Sequence, residues 1–166
     1  MAITSCLTNT FKEELLQGHH SFNASGDTPA GSTFKIALYS SNSASLGTTT
    51  TVWAAASTPS ADPTDTYEVT TTGSGYSSGG SALTNTGVAK STTTSYTDFS
   101  DISWTSATFT ARGCLIYNSS TISGLTPNAS VLVINFGGDK TVSSGTFTLQ
   151  FPANDSSNAI IRLTSS

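Results

Sequence analysis

The chain reads as an all-β protein, an antiparallel β-sandwich or jelly-roll-like fold with one short N-terminal helix. Three observations predict this. Roughly a third of the residues are Ser or Thr, and Thr favours a pleated, half-buried surface while Ser, Gly and Asn favour turns. Apolar residues alternate in short runs, as half-buried strands require. Those runs, roughly eight to ten of them, are separated by turn signals at near-regular spacing, the signature of a sandwich or jelly roll. No internal repeat and no linker divides the chain, so residues 1–166 are read as one β-sandwich domain, with 1–18 as an N-terminal helical segment.

The helix is expected over Thr8–Gln17. Thr10-Phe-Lys-Glu13 matches a capping box, Phe11 and Leu15 share a face with Leu16 beside them, and Gly18 stands at the C-terminal stop. So short a helix needs packing to persist. It serves either as a plug over one open end of the sandwich or as an arm against a neighbouring subunit. Asn23–Ser32 is a loop of Gly, Ser, Asp and Pro. Thr33–Ser40 alternates cleanly, with Phe34, Ile36 and Leu38 on one face. Val52–Ala56 is ambiguous, since its alanines favour helix and its Thr neighbours favour strand. Ser57–Asp65 is a loop, and Thr66–Thr70 a strand. Gly73–Gly80 carries no phosphate-binding pattern and reads as a wide turn or sheet-crossing loop. Ala82–Lys90 and Thr94–Phe99 are strands.

The densest aromatic and β-branched stretch follows, Tyr96 to Tyr117. After a turn at Ser100–Asp101 it breaks into Ile102–Trp104 and Ala107–Tyr117, where Gly113 suggests a bulge or a close backbone approach. Cys114-Leu-Ile-Tyr117 is continuously apolar, as a central strand would be. Asn118–Ser130 is a long loop, Val131–Phe136 a fully buried strand, and Gly137-Gly-Asp139 a turn. Thr146–Phe151 alternates again, Pro152 ends it, and Ala159–Leu163 closes the chain.

Composition excludes several function classes. Only 10% of residues are charged and the formal net charge is −4, with six Lys and Arg scattered along the chain. Nothing tracks a phosphate backbone, so no nucleic-acid partner is expected. No apolar run approaches the ~20 residues that span a bilayer, so no membrane partner is expected either. The N-terminus lacks a basic segment followed by an apolar run, and no signal peptide is expected. Cys6 and Cys114 could in principle form a bridge, but without a secretory context two free thiols are favoured. The Asn-x-Ser sequons at Asn23, Asn118, Asn128 and Asn154 matter only on a eukaryotic secretory route and arise by chance in so Ser-rich a chain.

Candidates for chemistry are few. His19-His20 has no Cys or carboxylate pair at ligand spacing and reads as a solvated turn. Asp62 and Asp65 could meet a calcium ion, though no Gly-centred ligand loop surrounds them and a plain loop is favoured. Asp98 and Asp101 could form a carboxylate pair, but Asp is also an ordinary turn-former. Arg112 is expected to pair with Asp98 or Asp101, or else to face an interface. No Gly-x-Ser-x-Gly elbow occurs. The protein is read as no enzyme, with no catalytic, cofactor or metal residues and no cofactor. A binding alternative rests on Trp53, Trp104 or Tyr76 stacking on a sugar, against the usual role of such rings as core.

Several segments share a likeness: Phe11-Lys-Glu-Glu-Leu-Leu-x-Gly18, Phe34-Lys-Ile-Ala-Leu-Tyr39, Gly75-Tyr-Ser-Ser-Gly-Gly-x-x-Leu83 and Asp101-Ile-Ser-Trp-Thr-x-Ala-Thr-Phe-Thr-Ala-Arg-Gly-Cys-Leu-Ile-Tyr-Asn118. With Asp139-Lys-Thr-Val-Ser-Ser-Gly-Thr-Phe-Thr and the terminal Asn158-Ala-Ile-Ile-Arg-Leu, and in this order, they resemble a group of small structural proteins of tailed bacteriophages. The segment ending at Asn118 is the most specific. The resemblance implies a place in the virion, most naturally on the capsid surface, for a product made in the host cytoplasm. It implies a decoration (cement) protein that bridges coat subunits, partnered by the major capsid protein or other virion proteins. Such proteins commonly form symmetric homo-oligomers, trimers among them. A tail, baseplate or adaptor component is the structural alternative, and a carbohydrate- or receptor-binding module the alternative of another class.

Overall fold

The computed structural model describes residues 3–24, 30–40, 46–53, 68–69 and 73–165. The elements in chain order are β1 (Cys6–Leu7), α1 (Asn9–Leu16), β2 (Phe34–Tyr39), β3 (Ser81–Leu83), β4 (Asn85–Ser91), β5 (Thr94–Phe99), β6 (Ile102–Asn118), β7 (Ala129–Leu149) and β8 (Ile161–Thr164). All strand pairs are antiparallel. One sheet has the order β1-β7-β6-β2-β3 and the other β4-β5-β8. Residues of both, such as Ile36, Phe99, Cys114 and Ile161, meet in one apolar core. The fold is all-β, a two-sheet sandwich with one short helix.

The helix forms where expected, but its cap differs. Thr8, not Thr10, is the N-cap: its backbone is extended and its hydroxyl accepts from the Phe11 amide at 3.3 Å. The same hydroxyl donates to the Ser130 carbonyl at 3.0 Å, fastening the helix start to β7. A capping box at Thr10 fails because Thr10 already lies inside the first turn. Gly18, at φ +77°, ends the helix. Its amide reaches the Leu15 carbonyl and the His19 amide the Glu14 carbonyl, which is the Schellman arrangement. Phe11 is fully buried and Leu15 packs against the same core. Leu16 departs from the expected face and is 91% exposed, while Glu14 is buried.

Strand β2 pairs with β6 through Ile36↔Ile116 and Leu38↔Cys114. The middle of this sheet is covered on both sides. Phe34, Ile36, Leu38, Cys114, Ile116, Val131 and Leu132 face the main core. Ala37, Tyr39, Leu115, Tyr117 and Val133 face a second cluster with Ile3 and Leu46. That two-sided cover is why Cys114–Tyr117 and Val131–Ile134 are continuous apolar runs rather than alternating ones.

Three strand expectations change. Ala82–Lys90 is not one strand. The chain leaves β3 at Leu83 and enters β4 at Asn85, in the other sheet. Ile102–Trp104 and Ala107–Tyr117 are one strand, β6, because register shifts absorb the polar interruption at Thr105–Ser106 without breaking the ladder. Gly137-Gly-Asp139 does not end a strand either: β7 runs through it as a bulge, its ladder with β6 lapsing after Asn135↔Gly113 and resuming at Lys140↔Ala111.

The glycine pair bends the strand. An extended strand would carry Phe136 and Phe147 about 36 Å apart, yet their ring centroids lie 6.3 Å apart. Gly137 at φ +74°, Ser144 at φ +47° and Ser106 at φ +50° supply the kinks. The long β6–β7 ribbon thus curls over with Trp104, Phe109, Val142 and Phe147 inside the bend. Gly113 has the close approach its position suggested, since a Cβ there would lie 2.5 Å from the Ile134 carbonyl.

The remaining elements follow the sequence closely. Strand β5 matches Thr94–Phe99, and β8 begins two residues later than Ala159. Residues 73–80 are a turn-rich loop leading into β3, and at Gly80, φ +69°, a Cβ would collide with the Ile36 carbonyl. Glu68 makes an isolated bridge with Tyr39, and Val52 one with Ala129. Thr66, Tyr67, Thr70, Ala54–Ala56 and the Asp62/Asp65 loop lie outside the described residues.

Candidate interaction surface

The curled ribbon sets two surfaces side by side. Its outer face is polar and mostly uncharged. Ser103 and Thr148 hydroxyls meet across the strands at 2.7 Å, Thr110 and Thr141 at 2.9 Å, and the Thr108 hydroxyl accepts from the Ser144 amide at 2.9 Å. Arg112 sits on this face and reaches Asp139 at 3.4 Å, both side chains well exposed. Its partner is neither Asp98 nor Asp101, because Asp139 lies on the adjoining strand. Such an exposed pair contributes ~1 kcal/mol at most.

The second surface is an apolar groove of about 480 Å³. One wall is Cys6, Leu7 and Leu132–Ile134, and the other is Leu149, Phe151, Pro152 and Ile160. It exists because the bend brings the far end of β7 round toward its start, leaving a seam. Among the described residues the outer edge of β7 is covered near its start, where Val52 bridges Ala129, the Thr51 carbonyl accepts from the Ser130 amide, and β1 pairs Cys6 with Val133 and Leu7 with Leu132. Ser5 extends that cover by one bond, its hydroxyl accepting from the Asn135 amide at 2.8 Å. Beyond Asn135 no described strand pairs with that edge.

Among the described residues the large exposed apolar side chains are scattered: Leu16, Ile122, Val88 and Leu163, the last two each 58% exposed. Val88 and Leu163 flank β5, opposite Thr97 and Ser95 respectively.

The sugar-stacking candidates are dispersed into the interior. Trp104 and Tyr76 are buried in the main core. Trp53 is half-buried and stacks on Tyr117 at 5.2 Å and 11°. Asp98 and Asp101 do come close, but as backbone caps. Asp98 is buried and accepts from the Phe99 and Ile160 amides, and Asp101 accepts from the Phe151 amide. Burial pushes the Asp98 carboxyl above its ordinary value, against the pull of those two amides. Cys6 and Cys114 are free thiols, and burial pushes both upward.

Two buried polar networks were not foreseen. Glu68, 7% exposed, accepts from the Tyr76 hydroxyl and the Gly79 amide, each at 2.7 Å, and from Ser78 at 3.3 Å. The Tyr76 oxygen in turn accepts from the Leu38 amide at 2.9 Å. Tyr117 donates to the Gly79 carbonyl at 2.8 Å, and burial with the Glu68 charge pushes its hydroxyl up to about 12. Glu68 therefore ties the 73–80 loop to β2. The second network corrects the reading of His19-His20 as a solvated turn. His20 is buried, bonded to Glu14 and to Asn118, with its ring edge-on to Phe11 at 5.0 Å. The signal available in the sequence was Glu14, three residues from Phe11 and so on its helix face.

Among the described residues no group of three or more His, Cys, Asp or Glu side chains is placed to hold a metal ion. No described helix is long and apolar enough to cross a membrane. No family model, curated protein or solved structure matches this chain.

Proposed function

We propose that this protein is a structural protein of a bacteriophage virion, a capsid decoration (cement) protein that bridges coat subunits. The observation that carries the reading is the curled β6–β7 ribbon, which lays a polar, nearly uncharged hydroxyl face beside an apolar seam. An apolar patch rimmed by polar groups is the composition of protein–protein contacts. The sequence likeness to small phage structural proteins supplies the setting. Each copy contributes a modest contact, and repetition over a shell turns many such contacts into a strong restraint through multivalency. The partners on this reading are the major capsid protein and further copies of the chain in a symmetric oligomer, a trimer being one closed form.

Quantitative mass spectrometry of purified particles tests the proposal. A copy number equal to that of the coat protein, or a simple fraction of it, is expected. A handful of copies moves the protein to the tail, baseplate or neck. Absence from the particle overturns both structural readings and brings glycan or receptor binding forward, with Trp53 the ring to substitute first.

A further inference from the structure

The amide of Asn118 determines the protonation state of His20. The Ser120 backbone N–H donates to Asn118 Oδ1 at 3.0 Å. A backbone amide can only donate, so the side-chain oxygen must face Ser120 and the NH2 must face His20. That NH2 lies 3.1 Å from His20 Nδ1. Nδ1 therefore presents a lone pair, and the ring proton sits on Nε2. Nε2–H donates to Glu14 Oε2 at 3.1 Å, and Glu14 Oε1 accepts from the Thr126 amide at 3.0 Å. The imidazole has no exposed side-chain surface. A helix residue, a residue of β6 and a residue of the 119–128 segment thus meet through one neutral ring, with every polar atom of the ring partnered.

A second proton has only Nδ1 to occupy, where it meets the Asn118 NH2 head-on. Rotating the amide would set that NH2 against the Ser120 N–H instead. The titratable groups facing the ring are Glu14, whose charge favours imidazolium, and His19, which opposes it. Strand β6 and the 119–128 segment present only Asn118, Ser120 and Thr126 there, none of them titratable in this range. Burial outweighs the Glu14 charge and holds His20 below its ordinary value.

We propose that His20 is a pH-sensitive latch: uptake of a second proton breaks its bond with Asn118 and so weakens the hold of β6 on α1, leaving the Glu14–Thr126 bond untouched. The neutral ring belongs to the latched state, and the released ring titrates at its ordinary value of about 6.5. The latch is therefore complete above that value and is lost as pH falls toward the lowered one. Within that window the opening equilibrium of α1 rises by up to about tenfold per pH unit, the slope of one proton.

The test uses the full chain with labelled histidine. The chain has two histidines, so His19→Gln leaves His20 as the only signal. NMR should show a neutral Nε2–H ring at neutral pH that titrates below its ordinary value. Hydrogen-exchange protection factors of α1 amides should fall by up to about tenfold per pH unit across that titration, relative to amides of β6 and β7. Asn118→Asp keeps one oxygen for Ser120 and offers the other to an Nδ1–H. It should raise the His20 titration and preserve α1 protection in acid. An Nδ1–H tautomer, titration at or above the ordinary value, or α1 protection that tracks the core throughout overturns the proposal. Should Asn118→Asp not fold, the wild-type tautomer and protection profile decide it alone.

Discussion

Removing the Glu68 carboxylate should unfasten the 73–80 loop from β2. Its Oε1 holds the Tyr76 hydroxyl and the Gly79 amide, each at 2.7 Å. In Glu68→Ala both donors lose their acceptor at a site whose surroundings are buried. Each unsatisfied buried donor costs ~1–3 kcal/mol. The expected loss is therefore about 3–4 kcal/mol. For a chain of this size that lowers Tm by roughly 10 °C, at about 2–4 °C per kcal/mol. Glu68→Gln keeps the shape and an oxygen where Oε1 stood. It should lose only the charge assistance of those bonds, about 1 kcal/mol or somewhat more. Urea unfolding at neutral pH, followed by tryptophan fluorescence and read as midpoint and slope, measures both. A Glu68→Ala loss under ~1 kcal/mol, or equal losses in the two variants, would refute the assignment of Glu68 as the anchor of the loop.

Trp104 tests the ribbon core. Trp104→Ala should cost ~3–5 kcal/mol as a large-to-small change. Trp104→Phe should cost much less, because the buried indole N–H has no protein partner to lose; equal losses in a thermal melt would contradict this. Asp98 tests a pH effect of opposite sign to the His20 latch. Its carboxyl is raised, so the folded state keeps a proton that the unfolded chain releases. That stability is present below the ordinary value of about 3.9 and is lost as pH rises through the raised one. Asp98→Asn removes this term, so the stability gap between variant and wild type should widen on acidification. A gap that stays constant with pH would refute it. Cys114 is fully buried, so a thiol reagent should label at most Cys6 in the native protein, and two fast thiols would contradict the placement of β6.

The sequence determined local structure wherever short-range geometry and burial agree. Alternation in Phe34–Tyr39, the strand at Thr94–Phe99, the helix stop at Gly18, and the two-sided apolar runs of Cys114–Tyr117 and Val131–Ile134 were all legible. Each reflects a period or a backbone angle written into neighbouring residues. Only tertiary structure decided the rest. Thr8 outcompetes Thr10 as helix cap because its hydroxyl also reaches β7. Gly137-Gly138 bends a strand rather than ending it, because β7 bulges there opposite Arg112 and its ladder with β6 resumes at Lys140↔Ala111. Glu68 and His20 become buried because their partners, Tyr76 and Gly79 for one and Glu14 and Asn118 for the other, are brought to them by the fold. Buried polar groups are as a rule hydrogen-bonded, so Glu68 and His20 enter the core with donors and acceptors around them. Which residues do so depends on contacts as far apart in sequence as Asn118 and His20, which no local pattern encodes.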